Sequence, residues 1–214
     1  DGVDGLIRRG CYRCLEQAFE QAQDKGARLQ AFEAATLLIL RSKELGLPSE
    51  AWLERARALA GADTSLSTYL DMVDVIPPDR LSENRDALFD VSRRNRAKGS
   101  LEAWRAQLHD GAGSDAFRAY LDISLICAFG ALWETPESFS GNVDPVALTP
   151  LFQYGLGTCD PAQRARLSAV RTSDPDFVDA DYPLGRYALE DPVNPNAEES
   201  LKRFESAARA FPRS

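Results

Sequence analysis

The chain has 214 residues and a net charge of −8, from 25 Lys and Arg against 33 Asp and Glu. A net acidic chain lacks the basic surface that phosphate binding needs, so nucleic acid is excluded as the expected partner. No stretch approaches the roughly 18–20 apolar residues that a membrane span requires. The 30 Ala and 26 Leu outnumber the 21 Val, Ile and Thr. This composition predicts an all-α protein, because Ala and Leu are the strongest helix formers.

Apolar residues recur at three- and four-residue steps along most of the chain, which predicts helices. In chain order, the helices are expected over residues 11–24, 28–45, 49–60, 65–76, 79–97, 100–109 and 114–133. Pro77-Pro78 and Lys98-Gly99 are expected to separate the middle ones. After a long connection from Glu134 to Val143, shorter helices are predicted over 144–154, 161–171, 175–189 and 195–211. The sequence contains no sustained alternation of β-branched residues, so no strand is predicted.

An internal repeat becomes visible when Gly10 and Gly46, which are 36 residues apart, are aligned. The first unit contains Gly10, Tyr12, Phe19 and Ala22, and the second contains Leu38, Gly46, Ala51 and Ala58. The end of the chain contains Leu184, Gly185, Phe204, Ala207 and Pro212 in a related order. Over residues of about 2–60 and 181–212 this pattern resembles the tetratricopeptide repeat (TPR) family, in which helical hairpins stack on their neighbours.

The resemblance implies an all-α fold of stacked antiparallel helical hairpins, a TPR-like α-solenoid with an irregular helical middle. Residues 1–60 and 171–214 would form the TPR-like ends and residues 61–170 the middle, within one continuous solenoid domain. It also implies a non-catalytic scaffold or adaptor that binds a protein or peptide. No catalytic residue, cofactor or metal is expected.

Cys11 and Cys14 form the sharpest local motif of the sequence. Zinc would need two more ligands, and Cys127 and Cys159 lack the required spacing. A redox CxxC motif normally follows a strand, and none is predicted here. Because the repeat places Cys11 at the start of a helix, where the chain can tighten, we predict a Cys11–Cys14 disulfide with a structural role. Buried free thiols and redox or metal chemistry are the alternatives, and the pairing of Cys127 and Cys159 stays open.

The connection after the 114–133 helix offers a second candidate site. Its residues Trp133, Glu134, Glu137 and Phe139 combine aromatic rings and carboxylates, as many ligand loops do. They favour the alternative function, an exported glycan- or small-ligand-binding helical-repeat protein. Trp52 and Trp104 instead lie in register with apolar neighbours, which predicts that both are framework residues.

Three further expectations concern charge, compartment and the end of the chain. His109, the only histidine, falls in a last helical turn, and Arg93, Arg94 and Arg96 form a basic cluster; both are expected to be solvated helix ends. Four cysteines permit disulfides, so the periplasm or the cell exterior is slightly favoured over the cytoplasm. The array is expected to continue beyond the chain, which predicts that Leu201 or Phe204 is exposed.

Overall fold

Eleven α-helices and no strand make up the residues that the computed structural model describes, which are 2–76, 91–129, 148–159, 161–191 and 193–212. The first five are α1 Val3–Arg9, α2 Tyr12–Asp24, α3 Arg28–Leu45, α4 Glu50–Ala60 and α5 Thr64–Val75. They are followed by α6 Val91–Asp110, α7 Asp115–Phe129, α8 Pro150–Cys159, α9 Ala165–Ser173, α10 Asp181–Glu190 and α11 Ala197–Ala210. The predicted all-α class is therefore confirmed for the described residues.

Helices α2 to α5 begin and end within one residue of the predicted bounds, because their signals are local. Gly46 ends α3 in the left-handed conformation, with φ 67°, which is the usual role of glycine after a helix. At the start of α5 the Asp63 side chain accepts hydrogen bonds from the backbone N–H groups of Ser65 and Leu66, as expected of an N-cap residue.

The predicted break at Lys98-Gly99 is wrong, because α6 runs without interruption from Val91 to Asp110. A glycine inside a helix costs only about 1 kcal/mol relative to Ala, which neighbouring helical residues can offset. The part of the predicted 79–97 helix that precedes residue 91 lies outside the described residues.

Helix α8 continues to Cys159, five residues beyond the predicted end at 154. Two glycines in this segment serve close packing between helices. A Cβ atom added to Gly155 would lie 3.1 Å from ring carbons of Tyr120, and one added to Gly157 would lie 2.6 Å from Cγ of Leu167. Helix α8 therefore needs residues without side chains where α7 and α9 approach it.

The helices in the last third of the chain are interrupted more often than the sequence predicts. Pro161–Gln163 is a 3₁₀ turn before α9, and a second 3₁₀ turn, Val178–Ala180, precedes α10 in place of the predicted start at 175. The residue before a proline avoids helical backbone angles. Asp174, which precedes Pro175, is accordingly extended, with φ −128° and ψ 92°.

Successive helices joined by short turns pack against each other, most extensively α2 with α3, α3 with α4, and α10 with α11. In the last pair, a Cβ atom on Gly185 would lie 3.0 Å from the ring of Phe204. Leu201 on α11 is 60% exposed, as expected, whereas Phe204 is half-buried. The described helices thus include hairpin-like pairs at both ends of the chain.

One hydrophobic core extends from Val3 to Ala180 and draws side chains from the predicted N-terminal, middle and C-terminal segments. Helix α1 contacts α7 and α8 as well as its neighbours in sequence. A smaller cluster contains Ile123, Cys127 and Phe152, and there Cys127 lies at disulfide distance from Cys159. This second pair links α7 to α8 and resolves the pairing that the sequence left open.

Candidate functional site

A cleft of about 290 Å³ opens beside the start of α2, and we call it the α2 cleft. It lies where the N-terminal helices meet the segment before α10 and the end of α11. Its lining residues are Arg9, Cys11, Arg13, Cys14, Gln17, Asp176, Val178, Asp179, Ala210 and Phe211. The two predicted cysteines thus share a surface cleft with charged residues from distant parts of the chain.

Cys11 and Cys14 lie at disulfide distance, with their Cα atoms 4.9 Å apart. Cys11 is the N-cap residue of α2, and its sulfur accepts a hydrogen bond from the backbone N–H of Cys14 at 3.1 Å. The first N–H groups of a helix lack partners within the helix, and here the Cys11 sulfur satisfies one of them. The predicted pairing at a helix start agrees with this geometry.

Tyr12, between the two cysteines, forms contacts through its backbone N–H, its hydroxyl and its ring. Its backbone N–H donates to Oδ2 of Asp179 at 2.7 Å. Its hydroxyl accepts a hydrogen bond from Nε1 of Trp52 at 3.0 Å and lies 3.2 Å from Oγ of Ser42. Its ring forms a T-shaped pair with the ring of Phe211, with ring centroids 5.5 Å apart. The start of α2 is therefore fixed by contacts with α3, α4 and the C-terminal part of the chain.

The two arginines that line the α2 cleft, Arg9 and Arg13, differ in their contacts with other side chains. Arg9 donates from Nε and Nη2 to the carboxylate of Asp174, both at 2.9 Å, and lies 3.7 Å from Asp176. The side chain of Arg13 is exposed, and so is that of Gln17. Two cationic groups therefore border the cleft, of which Arg13 extends into solvent.

Behind the cleft, Asp179 connects the start of α2 to a buried arginine. Arg41 is fully buried and forms an ion pair with Asp179. It also donates to Oε2 of Glu44 at 2.6 Å, and its guanidinium lies 3.6 Å from the centre of the Tyr154 ring. The Tyr120 hydroxyl donates to Oε1 of Glu44 at 2.7 Å. Because a buried charge is costly unless it is paired, these partners account for the presence of Arg41 in the core.

The sequence reasoning missed Arg41 and Asp179. Arg41 directly follows Leu37–Leu40, a continuous apolar run that predicts burial on more than one side of the helix. A charged residue continuing such a run is a signal for a buried ion pair, although it does not identify the partner.

A second surface feature is a groove of about 330 Å³ between α3, α4 and α5, which we call the α3–α5 groove. Its apolar floor contains Ile39, Leu53, Leu70 and Val73, and its polar rim contains Lys43, Ser49, Arg57, Ser67, Asp71 and Asp74. Nζ of Lys43 donates to the carbonyl oxygens of Val73 and Ile76, at 2.7 and 3.1 Å, and so ties α3 to the end of α5.

The structure does not place the predicted ligand loop, because Trp133, Glu134, Glu137 and Phe139 lie outside the described residues. The side chains of Arg93, Arg94 and Arg96 lie outside them as well.

The tryptophans that the structure describes are framework residues, as predicted. Trp104 is 5% exposed, and Trp52 is half-buried with its ring centroid 5.3 Å from that of Phe19. His109 lies in the last turn of α6 with an exposed side chain, also as expected. These two tryptophans do not form an exposed aromatic strip.

Comparisons with known protein families, with curated proteins and with solved structures find no match to this chain. Among the described residues, no cluster of three or more His, Cys, Asp or Glu side chains is arranged to hold a metal ion. No helix within them combines the length and apolar character that crossing a membrane requires.

Proposed function

We propose that this chain is a non-catalytic scaffold or adaptor with stacked hairpins of TPR type, and that it binds a peptide segment of another protein. The observation that carries the proposal is the α3–α5 groove, where an apolar floor lies between charged rims across three successive helices. Helical-hairpin arrays offer surfaces of this kind to extended or helical segments.

The apolar floor of the α3–α5 groove supports the proposal because part of it is exposed to water. Leu53 is half-buried, whereas Ile39 and Val73 are buried. An apolar side chain of a partner would cover Leu53 and remove its remaining apolar surface from water, which is favourable at roughly 25 cal/mol per Å². A segment with apolar residues on one face would gain most from this arrangement.

The rim supports a basic partner. Asp71 and Asp74 are three residues apart on the exposed face of α5, while Lys43 is already engaged with the end of that helix. The exposed cation of the rim is Arg57 on α4, so acidic side chains outnumber it two to one. The chain as a whole carries a net charge of −8. Since complementary charges steer and orient binding partners, the proposed ligand is an amphipathic peptide segment with Lys or Arg beside its apolar residues.

We further propose that the protein is exported. Two cysteine pairs lie at disulfide distance, and all four cysteines of the chain belong to them. Disulfides persist in oxidising compartments and are rare in reducing ones, which supports the periplasm or the cell exterior.

Selection from a random peptide library on the immobilised chain would test the scaffold function. We expect enriched peptides that combine apolar residues with Lys or Arg. Their affinity should fall at least tenfold in Leu53→Asp and in the exposed double variant Asp71→Lys/Asp74→Lys. Leu201→Asp is the matched control, because Leu201 is exposed on α11 and away from the groove. Failure to enrich any peptide, or equal weakening by Leu201→Asp, would contradict the proposal.

A further inference from the structure

We propose that the Cys11–Cys14 disulfide is a thiol–disulfide exchange site whose reactant is a cysteine thiol of a partner protein. The sequence favours a structural bridge at this position and leaves redox chemistry as an alternative. The inference is independent of the α3–α5 groove and rests on where the pair lies, on its position in α2 and on the contacts that surround it.

The first step of the argument is access. Cys11 and Cys14 are only 1% and 3% exposed, so a reactant must reach them through the α2 cleft, which both line. The cleft volume of about 290 Å³ compares with roughly 30 Å³ for one water molecule in the liquid. The cleft can therefore admit a side chain rather than solvent alone. Exposed Arg13 stands at its border, where it would favour an approaching thiolate over a thiol.

The second step is the leaving group. Cys11 caps a 13-residue helix, and the Cys14 N–H already donates to its sulfur at 3.1 Å. A cysteine at a helix N-terminus has a lowered thiol pKa, and a thiol with a lower pKa leaves faster in disulfide exchange. Attack on the Cys14 sulfur, which releases Cys11 as a thiolate, is therefore the favoured direction.

The third step is that the disulfide is not needed to hold the start of α2. The Tyr12 N–H is bound by Asp179, and its hydroxyl is bound by Trp52. Asp179 is itself held in place by the buried ion pair with Arg41. Because these contacts do not involve sulfur, the reduced chain should keep the same helix start. A bridge that closes only four residues also constrains the unfolded chain much less than a bridge closing a long segment.

The chemical step balances as an ordinary exchange. The partner thiolate forms a bond to the Cys14 sulfur while the bond between the Cys14 and Cys11 sulfurs breaks. The electron pair of the broken bond stays on Cys11, which becomes a thiolate. A second thiol of the partner then attacks the partner sulfur that is bonded to Cys14 in the mixed disulfide. This step forms the disulfide of the partner and releases Cys14. The partner dithiol is oxidised to a disulfide by two electrons, and Cys11 and Cys14 are reduced to thiols.

Timed reduction of the folded chain with dithiothreitol tests the proposal, with Cys127–Cys159 as an internal control. Aliquots are alkylated, and each cysteine is quantified by mass spectrometry while circular dichroism monitors the fold. Cys159 is more exposed than Cys11 or Cys14, so exposure alone predicts that the control opens first. We expect the reverse, with Cys11–Cys14 opening at least tenfold faster and without loss of helical signal. Equal or slower opening of Cys11–Cys14, or opening only on unfolding, would overturn the proposal.

Single variants test the roles of the two sulfurs. In Cys14→Ser, the pH dependence of iodoacetamide alkylation should give a Cys11 thiol pKa below the ordinary value of about 8.5. An activated peptide disulfide offered to Cys11→Ser should be captured as a stable mixed disulfide on Cys14. A Cys11 pKa at or above the ordinary value, or no capture by Cys14, would indicate a purely structural bridge.

Discussion

Arg41 and Asp179 form an ion pair inside the core although 138 positions separate them in the chain. Their side chains are 0% and 2% exposed, so neither charge is solvated. Through this pair the middle of α3 is joined to the turn that supports the start of α2. The Arg41–Asp179 pair therefore links the core to the α2 cleft.

Replacing one member of this pair should be strongly destabilising. Asp179→Ala removes the acceptor of the Tyr12 N–H and leaves the buried Arg41 with Glu44 as its remaining ionic partner. Breaking a buried pair typically costs about 3–5 kcal/mol, which is the upper end of the expected loss. Urea denaturation followed by circular dichroism measures the change. In the control, Glu190→Ala removes the Arg186 partner on α10, and a pair of this exposed i,i+4 type is worth only about 0.3–0.5 kcal/mol. Similar losses in the two variants would contradict the role assigned to Arg41 and Asp179.

The two disulfides should differ in their contribution to stability. In the chain-entropy model, a bridge across the 32-residue separation of Cys127 and Cys159 contributes about 4 kcal/mol, and one across a separation of three contributes about 2 kcal/mol. We therefore expect Cys127→Ala/Cys159→Ala to lose more unfolding free energy than Cys11→Ser/Cys14→Ser, in which the serine that replaces Cys11 is itself a good N-cap residue. Denaturant titrations of both double variants compare the losses, and the opposite order would show that Cys11–Cys14 is the main structural bridge.

Gly10 and Gly26 offer a matched pair for measuring a close contact. Both have positive φ, 71° and 66°, so an alanine at either position costs about 1 kcal/mol or more from the backbone alone. A Cβ atom on Gly10 would also lie 2.6 Å from Cβ of Leu151, whereas one on Gly26 would meet nothing within 4 Å. We expect Gly10→Ala to lower the unfolding free energy by about 1–3 kcal/mol more than Gly26→Ala, because overpacking a core costs about that much. Equal thermal and denaturant stability of the two variants would show that α1 and α8 do not pack as closely as described.

Glu33 should make the unfolding free energy decrease as the pH rises. Burial raises the pKa of Glu33 above 4.5, and the hydrogen bonds from the Ser114 N–H and hydroxyl oppose the shift. The folded chain then holds this proton more tightly than the unfolded chain, so unfolding free energy decreases as pH rises from 4.5 through the raised pKa. Urea denaturation across this range should show a smaller decrease in Glu33→Gln than in the unaltered chain. Ser114→Ala, which removes the hydroxyl donor, should raise the Glu33 pKa further in a ¹³C NMR titration.

Several helices and one candidate pair could be predicted because their signals lie within a few residues. The periodicity of α3, the glycine at its end and the Asp63 cap are all local features. Cys11 and Cys14 are three apart, so their proximity needed only a helix start and no long-range contact. The helix bounds failed where the effect of a residue depends on what faces it, as at Gly155 against Tyr120.

The sequence by itself thus determined the all-α class, the bounds of α2 to α5 and the placing of Cys11 at a helix start, since each depends on backbone preferences and spacing along one segment. Only the tertiary structure decided that Asp179 binds the Tyr12 N–H, 167 positions away, and that the cysteine pair borders a cleft. It also decided that Asp179 and Glu44 neutralise Arg41. Such contacts form when separate helices pack, and the free energy of a buried charge or a missing side chain depends on neighbours that a local pattern does not contain.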